Sequence, residues 1–370
     1  MKKLLLFIIP LFLCGCTFDM NRKEIDEINL VYVIAIDYDN GKYTVSALYS
    51  SGGGGSPSQS STSGKEEISN GTGKTPFEAF QNLKLKNKKA ISVAQTGFFL
   101  IGDGAARNGI DTCLDFLTRD ETIKMEALIY IVKDSKADDF LNKAIKSKQT
   151  VHEDLKAIQQ KQHELVTRLD NTLVNITNDM KQTYSSVLIP YLISKEKSFQ
   201  IEGYAVFDKL KLKDYLDHDT SSGVNFVKNI IRTYPIYLDN QVGLSLSFAK
   251  TKLKSDINSG NVNITIHVDF ETNIDEVNTT EDIFTEERLS ELTNKQNKYI
   301  KKIIKKAVDY SVTTGLDIMQ LARIVENQHV KEWKNMSGTW NQSIIDIKYS
   351  YVMRSKISRS FIIGNERGSK

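Results

Sequence analysis

Val31, Val33, Ala35 and Asp37 alternate with Tyr32, Ile34, Ile36 and Tyr38, so one extended segment is apolar on parts of both faces. A strand of that kind is stable only where both sides of its sheet are covered. Asp39-Asn40-Gly41 follows, and Asn and Gly accept the positive φ of a type I′ turn at little cost. With Tyr43 to Tyr49 as the return strand, residues 29–49 predict a β-hairpin. The string from Asp37 to Gly41 is not a calcium loop, because glycine stands at the third ligand position and no glutamate closes it.

Helices and strands then alternate. Residues 50–64 are rich in Gly and Ser around Pro57, which predicts a mobile loop, and Ile68 to Lys74 resumes a strand. Gly71-Thr72-Gly73-Lys74-Thr75 lacks the first glycine of a phosphate loop, since Ile68 stands there. The better reading is a helix start. Thr75-Pro76-Phe77-Glu78 is a capping box with proline at the first helical position, and Phe77, Phe80, Leu83 and Leu85 supply apolar positions. A buried strand over 90–101, a helix over 105–118, a strand over 127–132 and a helix from Asp134 or Ser135 to Ala144 complete the alternation. Cys113 shares a helical face with Ile110, Leu114 and Leu117 and reads as an inert core thiol.

Residues 148–186 read as polar helix. His152 and His163 stand eleven apart, too far for one metal, and read as solvent-facing. His163-Glu164 opens like a zinc-protease motif, but Thr167 occupies the second histidine position. Val187 to Ile193, with Pro190, reads as an edge segment leaving an N-terminal domain of 29–195.

A C-terminal domain is expected over 199–370. Gln200 to Asp208 is a strand, Gly223 to Lys228 begins a helix, and 243–254 with 262–274 form a long hairpin. Val262, Ile264, Ile266, Val268 and Phe270 alternate with polar residues, so His267 falls on a wet face without a second ligand. A helix over 285–312 has an apolar stripe that includes Ile300, Ile303 and Ile304. Its outer face carries Lys295, Lys298, Lys301, Lys302, Lys305 and Lys306, read as a solvated surface partly offset by Glu286, Glu287 and Glu291. Gly315 ends this helix, 316–333 form another, and 344–357 a final strand. The fold class is α+β: several domains, with mixed and antiparallel sheets and packed helices.

Hydrophobic residues make up 40% and charged residues 26% of 370, which excludes a polytopic membrane protein and a wholly disordered chain. The formal charge is only +3, two of it from Lys2 and Lys3, so nothing points to nucleic acid. Those two lysines precede the apolar run Leu4 to Leu13, about half of what a ~30 Å hydrocarbon core requires. The run reads as a signal peptide over 1–15. It ends in Leu13-Cys14-Gly15-Cys16, which resembles a bacterial lipobox. That resemblance implies cleavage before Cys16, leaving it as an N-palmitoyl, S-diacylglycerol cysteine, with 16–28 as an anchor segment. Cys14 is the poorer acceptor, because Phe12-Leu13 are not small. No nucleophile elbow, Cys-x-x-Cys pair or dinucleotide fingerprint is present, and the five histidines are scattered, so no enzyme, metal site or cofactor is expected.

Taken in order, these segments resemble the C-subunit lipoproteins of GerA-type spore germinant receptors, the Ger(x)C family. The matching segments are Arg22 to Ile25, Val31 to Asp37, Thr72 to Ala79, Asp115-Phe116-Leu117-Thr118-Arg119-Asp120 and Ile201 to Phe207. The lysine-rich helix leading to Gly315-Leu316-Asp317-Ile318, with Trp333 beyond, also matches. Thr17-Phe18-Asp19 departs from the Trp-Asp usual after the cysteine, and the 50–64 loop is atypical. The resemblance implies a non-enzymatic subunit anchored on the outer face of the spore inner membrane. It would join integral-membrane A-type and B-type subunits and trigger germination in response to nutrient. No nutrient pocket is legible in this chain. The rival reading is a solute-binding lipoprotein of a membrane transporter, whose two parallel-sheet lobes the long hairpins oppose. A lipoprotein hydrolase would need a nucleophile that is not recognisable here.

Overall fold

The computed structural model describes residues 27–51, 65–161, 170–182, 186–195, 198–239, 241–258 and 260–358. The lipobox, most of the 50–64 loop and His163 lie outside these residues.

The first sheet contains β1 (Ile28–Asp39), β2 (Lys42–Ser51), β3 (Lys65–Gly73), β4 (Ala90–Ser92), β5 (Phe98–Gly102), β6 (Leu128–Val132), β7 (Val187–Lys195), β8 (Ser198–Asp208) and β9 (Lys211–Tyr215). Their order is β3-β2-β1-β5-β6-β7-β8-β9, with β4 beside the start of β1. The central β1, β5, β6 and β7 are parallel, and antiparallel pairs extend the sheet on both sides. As β1's two-faced pattern requires, Ile34 and Ile36 enter one core and Val33 and Ala35 another, one on each side of the sheet.

Helices α1 (Pro76–Lys86), α2 (Asp103–Asn108), α3 (Asp111–Arg119), α4 (Ala137–Lys146), α5 (Val151–Lys161) and α6 (Leu173–Met180) supply the cover. The capping box forms: Glu78 N donates to Thr75 Oγ1 at 3.1 Å, and Lys74 N donates to Glu78 Oε2 at 2.6 Å. Gly71 is a site of close helix approach rather than part of a phosphate cradle. A Cβ there would lie 2.2 Å from Ala79 O and 2.3 Å from Leu83 N. Both are backbone atoms, so Gly71→Ala must push α1 off β3. We expect a loss of about 3 kcal/mol in urea unfolding, and a loss under about 1 kcal/mol would contradict the packing.

Several expectations need correction. Residues 90–101 are two strands, because the chain turns at 93–97, where Thr96 Oγ1 donates to Val31 O at 3.2 Å, before pairing with β1 again. The helix expected over 105–118 is two, broken at Gly109 with φ 135°. Val187 to Ile193 is an interior strand. Pro190 is tolerated there because β6 pairs β7 only at Tyr191 and Leu192. β7 and β8 are adjacent antiparallel strands with Lys195 opposite Ser198, and β9 extends the same sheet to Tyr215.

The second sheet has the order β10 (Pro235–Leu238), β11 (Val242–Asn258), β12 (Asn261–Val277), β13 (Lys348–Ser358). One face packs on α7 (His218–Val227), α8 (Glu286–Thr314) and α9 (Leu321–Gln328), followed by α10 (Val330–Met336) and α11 (Trp340–Ser343). Tyr204 and Val206 of β8 belong to this core, so the two sheets are joined through it. The helix expected to begin at Gly223 starts earlier, at His218, and runs to Val227; Asp217 caps its start, its Oδ1 accepting from Thr220 N at 2.7 Å. The helix expected over 316–333 starts only at Leu321 and breaks at His329, where φ is −137°.

Candidate functional site

Two of the segments that carry the resemblance, Thr72 to Ala79 and Asp115 to Asp120, meet in space. The start of α1 and the end of α3 enclose a groove of about 620 Å³. Its floor is aromatic, where Phe80 meets Phe116 edge-on with ring centroids 5.6 Å apart, and at its mouth Phe77 is 62% exposed. Its rim is charged. Lys84 Nζ sits 4.5 Å over the Phe80 ring, and Arg119 Nε pairs with Asp115 Oδ2 at 2.7 Å. Asp120 closes the end of α3 by accepting from Thr122 N at 3.0 Å and Thr122 Oγ1 at 2.6 Å. An apolar floor within a charged rim suits an apolar segment with polar flanks.

Two acidic residues of the remaining motifs, Asp37 and Asp317, turn inward. Asp37 is buried at the end of β1 and caps α4: Ala137 N donates to Oδ1 at 2.7 Å and Asp138 N to Oδ2 at 2.8 Å. Burial raises its pKa from 3.8 to about 6, against the lowering effect of those two bonds. Asp317 is buried at the start of α9. It accepts from Leu321 N and Ala322 N at 2.8 Å each and from Trp340 Nε1 at 3.0 Å. Burial pushes its pKa up, opposed by those three donors and by the nearby Lys228. Glu66 does the same for α5, accepting from Val151 N at 2.8 Å and His152 N at 3.0 Å. These carboxylates cap helix N-termini as Asp217 caps α7, but Asp37 and Glu66 do so from 85 to 101 residues away in sequence. Sequence reading finds no cap from such a distance; for Asp37 the available signal is an acid near the end of an apolar strand.

The other residues singled out are dispersed. Cys113 is fully buried and its thiol is pushed up to about 12 by burial. His152 is not solvent-facing: it stacks on Tyr32 at 4.4 Å, and burial lowers its pKa. Burial of Val151 and Leu155 turns that side of α5 onto the sheet, which carries His152 with it. His267 lies on the outer face of β12, between Lys252 and Val352. On α8 the lysines differ. Lys295 pairs with Asp239 and Glu291, Lys305 with Asp309, Lys306 with Asp219, and Lys301 sits 5.3 Å over Tyr351. Lys298 and Lys302 are exposed and form no ion pair among the described residues. Among those residues, no helix is long and apolar enough to cross a membrane.

The comparisons with known proteins cover this same architecture. Residues 21–194 match the family model described as spore germination protein N-terminal domain. Residues 202–361 match the one described as spore germination B3/GerAC like, C-terminal. The chain belongs to the GerAC-like (Ger(x)C) family of spore germination proteins. It is 26% identical over 282 residues to the putative spore germination protein YfkR of Bacillus subtilis (strain 168), covering 70% of this chain and 72% of that one. It is 20% identical to spore germination protein GerQC of Bacillus cereus, covering 97% of this chain and 99% of that one. The crystal structure of the GerBC protein shares the fold, with a TM-score of 0.58 at 18% identity over 88% of this chain and 96% of that one. The first family model ends at 194 in β7 and the second begins at 202 in β8.

Proposed function

We propose that this chain is the lipid-anchored C subunit of a nutrient germinant receptor. Cys16 holds it on the outer face of the spore inner membrane, where it assembles with A-type and B-type integral-membrane subunits and acts by binding rather than by catalysis. The observation that carries this reading is the pair of family matches across both halves of the chain. A transporter's solute-binding lipoprotein is not favoured: those matches speak against it, as do the long antiparallel hairpins 28–51 and 242–277. Two units divided near 195–199 remain part of the proposal, although β7 and β8 on either side pair within one sheet. The α1–α3 groove is the proposed contact for an apolar segment of a membrane partner, since Phe77 exposes an aromatic ring at its mouth.

Two substitutions separate anchoring from docking. Cys16→Ala should leave unprocessed precursor and move the chain out of the membrane fraction, because two or more acyl chains are needed for stable anchoring. Phe77→Asp should change stability by about 0.5 kcal/mol or less, as an exposed position, yet lower recovery of membrane partners about tenfold. Normal membrane fractionation and germination by the first variant would remove the anchor from the account. Undiminished partner recovery by the second would move the contact elsewhere.

A further inference from the structure

Among the described residues, side chains hydrogen-bond to the backbone along the sheets' long edges, with one exception. On β3, Asn82 Nδ2 donates to Thr72 O at 2.8 Å and Lys86 Nζ to Asn70 O at 3.1 Å. On β11, beyond its short pairing with β10, Thr251 N donates to Asn229 Oδ1 at 2.8 Å and Ser255 N to Gln328 Oε1 at 2.7 Å. Gln328 Nε2 returns a bond to Leu253 O at 3.0 Å. The other terminal strands, β9 and β10, are five and four residues long. β13 is different. It runs eleven residues, pairs with β12 along all of them, and its far edge meets no backbone or side-chain partner among the described residues.

Charge surrounds that edge. Lys348, Arg354 and Lys356 are exposed on the outer face of β13. From the inner face, Lys301 of α8 leans over Tyr351. On β12, away from the free edge, Asp269 and Glu271 stand in register with Arg354 and Lys356; on α8, Asp309 lies near Tyr351 and is paired with Lys305. Like charges oppose pairing of two copies edge to edge, whereas an acidic strand would be attracted.

We propose that the free edge of β13 is a strand-addition site for an acidic, extended segment of a partner protein. Main-chain hydrogen bonds would supply the affinity, and the surrounding lysines and arginine would select acidic side chains. This does not depend on which protein the partner is, nor on the groove between α1 and α3.

The test uses the full chain in detergent and an eleven-residue peptide alternating valine with glutamate. Amide hydrogen exchange over 348–358 is read with and without it. The expected result is slowing of about tenfold or more at alternate positions of β13. A peptide with lysine in place of glutamate, and one N-methylated on the pairing edge, should give none. Combining Lys348→Glu, Arg354→Glu and Lys356→Glu should weaken the acidic peptide about tenfold and favour the lysine peptide. Three results would overturn the proposal: amides of 348–358 fully protected before peptide is added, equal binding of the N-methylated peptide, or protection by anionic phosphatidylglycerol vesicles but not by the peptide.

Discussion

Asp317→Ala should cost about 3–5 kcal/mol of stability in urea unfolding. The carboxylate receives Leu321 N, Ala322 N and Trp340 Nε1, and all three donors would be left buried without their acceptor. The loss should reach the aromatic core, because Trp340 packs edge-on against Trp333 with centroids 5.2 Å apart. Near-ultraviolet circular dichroism should therefore change even where the variant still folds. Asp317→Asn, which keeps one acceptor oxygen, should fall between the variant and the parent. A cost below about 1 kcal/mol for the alanine variant would mean that Asp317 does not hold α9 and α11 together.

Asp37 should make stability depend on pH in the opposite sense to a surface carboxylate. Its folded pKa of about 6 lies above the ordinary 3.8, so the folded state binds the proton more tightly than the unfolded chain. The resulting stabilisation is complete below about 3.8 and is lost as pH rises through about 6. The interval is equivalent to about 3 kcal/mol. Asp37→Asn removes the titration, so the stability of the parent relative to this variant should fall by about that amount between pH 3.5 and 7.5. A difference that stays flat across the range would show that Asp37 does not titrate as its burial demands.

These two residues also mark where the sequence was readable. Local patterns were legible: the 28–51 hairpin from its Asn-Gly turn, the Thr75–Glu78 cap, the α8 stripe, and the long hairpin from strict alternation. The family could be read because these segments keep their order and spacing. Features decided by distant partners were not legible. Pro190 read as an edge because its neighbours in β6 are almost 60 residues away and pair only past it. Residues 90–101 read as one strand because the turn at 93–97 is fixed by Thr96 bonding to Val31. Asp37 and Asp317 were recognisable as motif positions, but their chemistry was not. Asp37 caps a helix 100 residues away from near the end of a strand, which leaves no local signature, and the bond from Trp340 to Asp317 spans 23 residues. The groove was equally hidden, since nothing in sequence places Phe80 beside Phe116.

The central claim is that this family member works by binding membrane partners. It is tested most directly by isolating the tagged chain from spore inner membranes under mild detergent and identifying what accompanies it. The account predicts two integral-membrane proteins in near-equal amounts, both lost in parallel with Phe77→Asp while the core remains folded by circular dichroism. Recovery of the chain alone, or with a transporter permease in place of two receptor subunits, would contradict it.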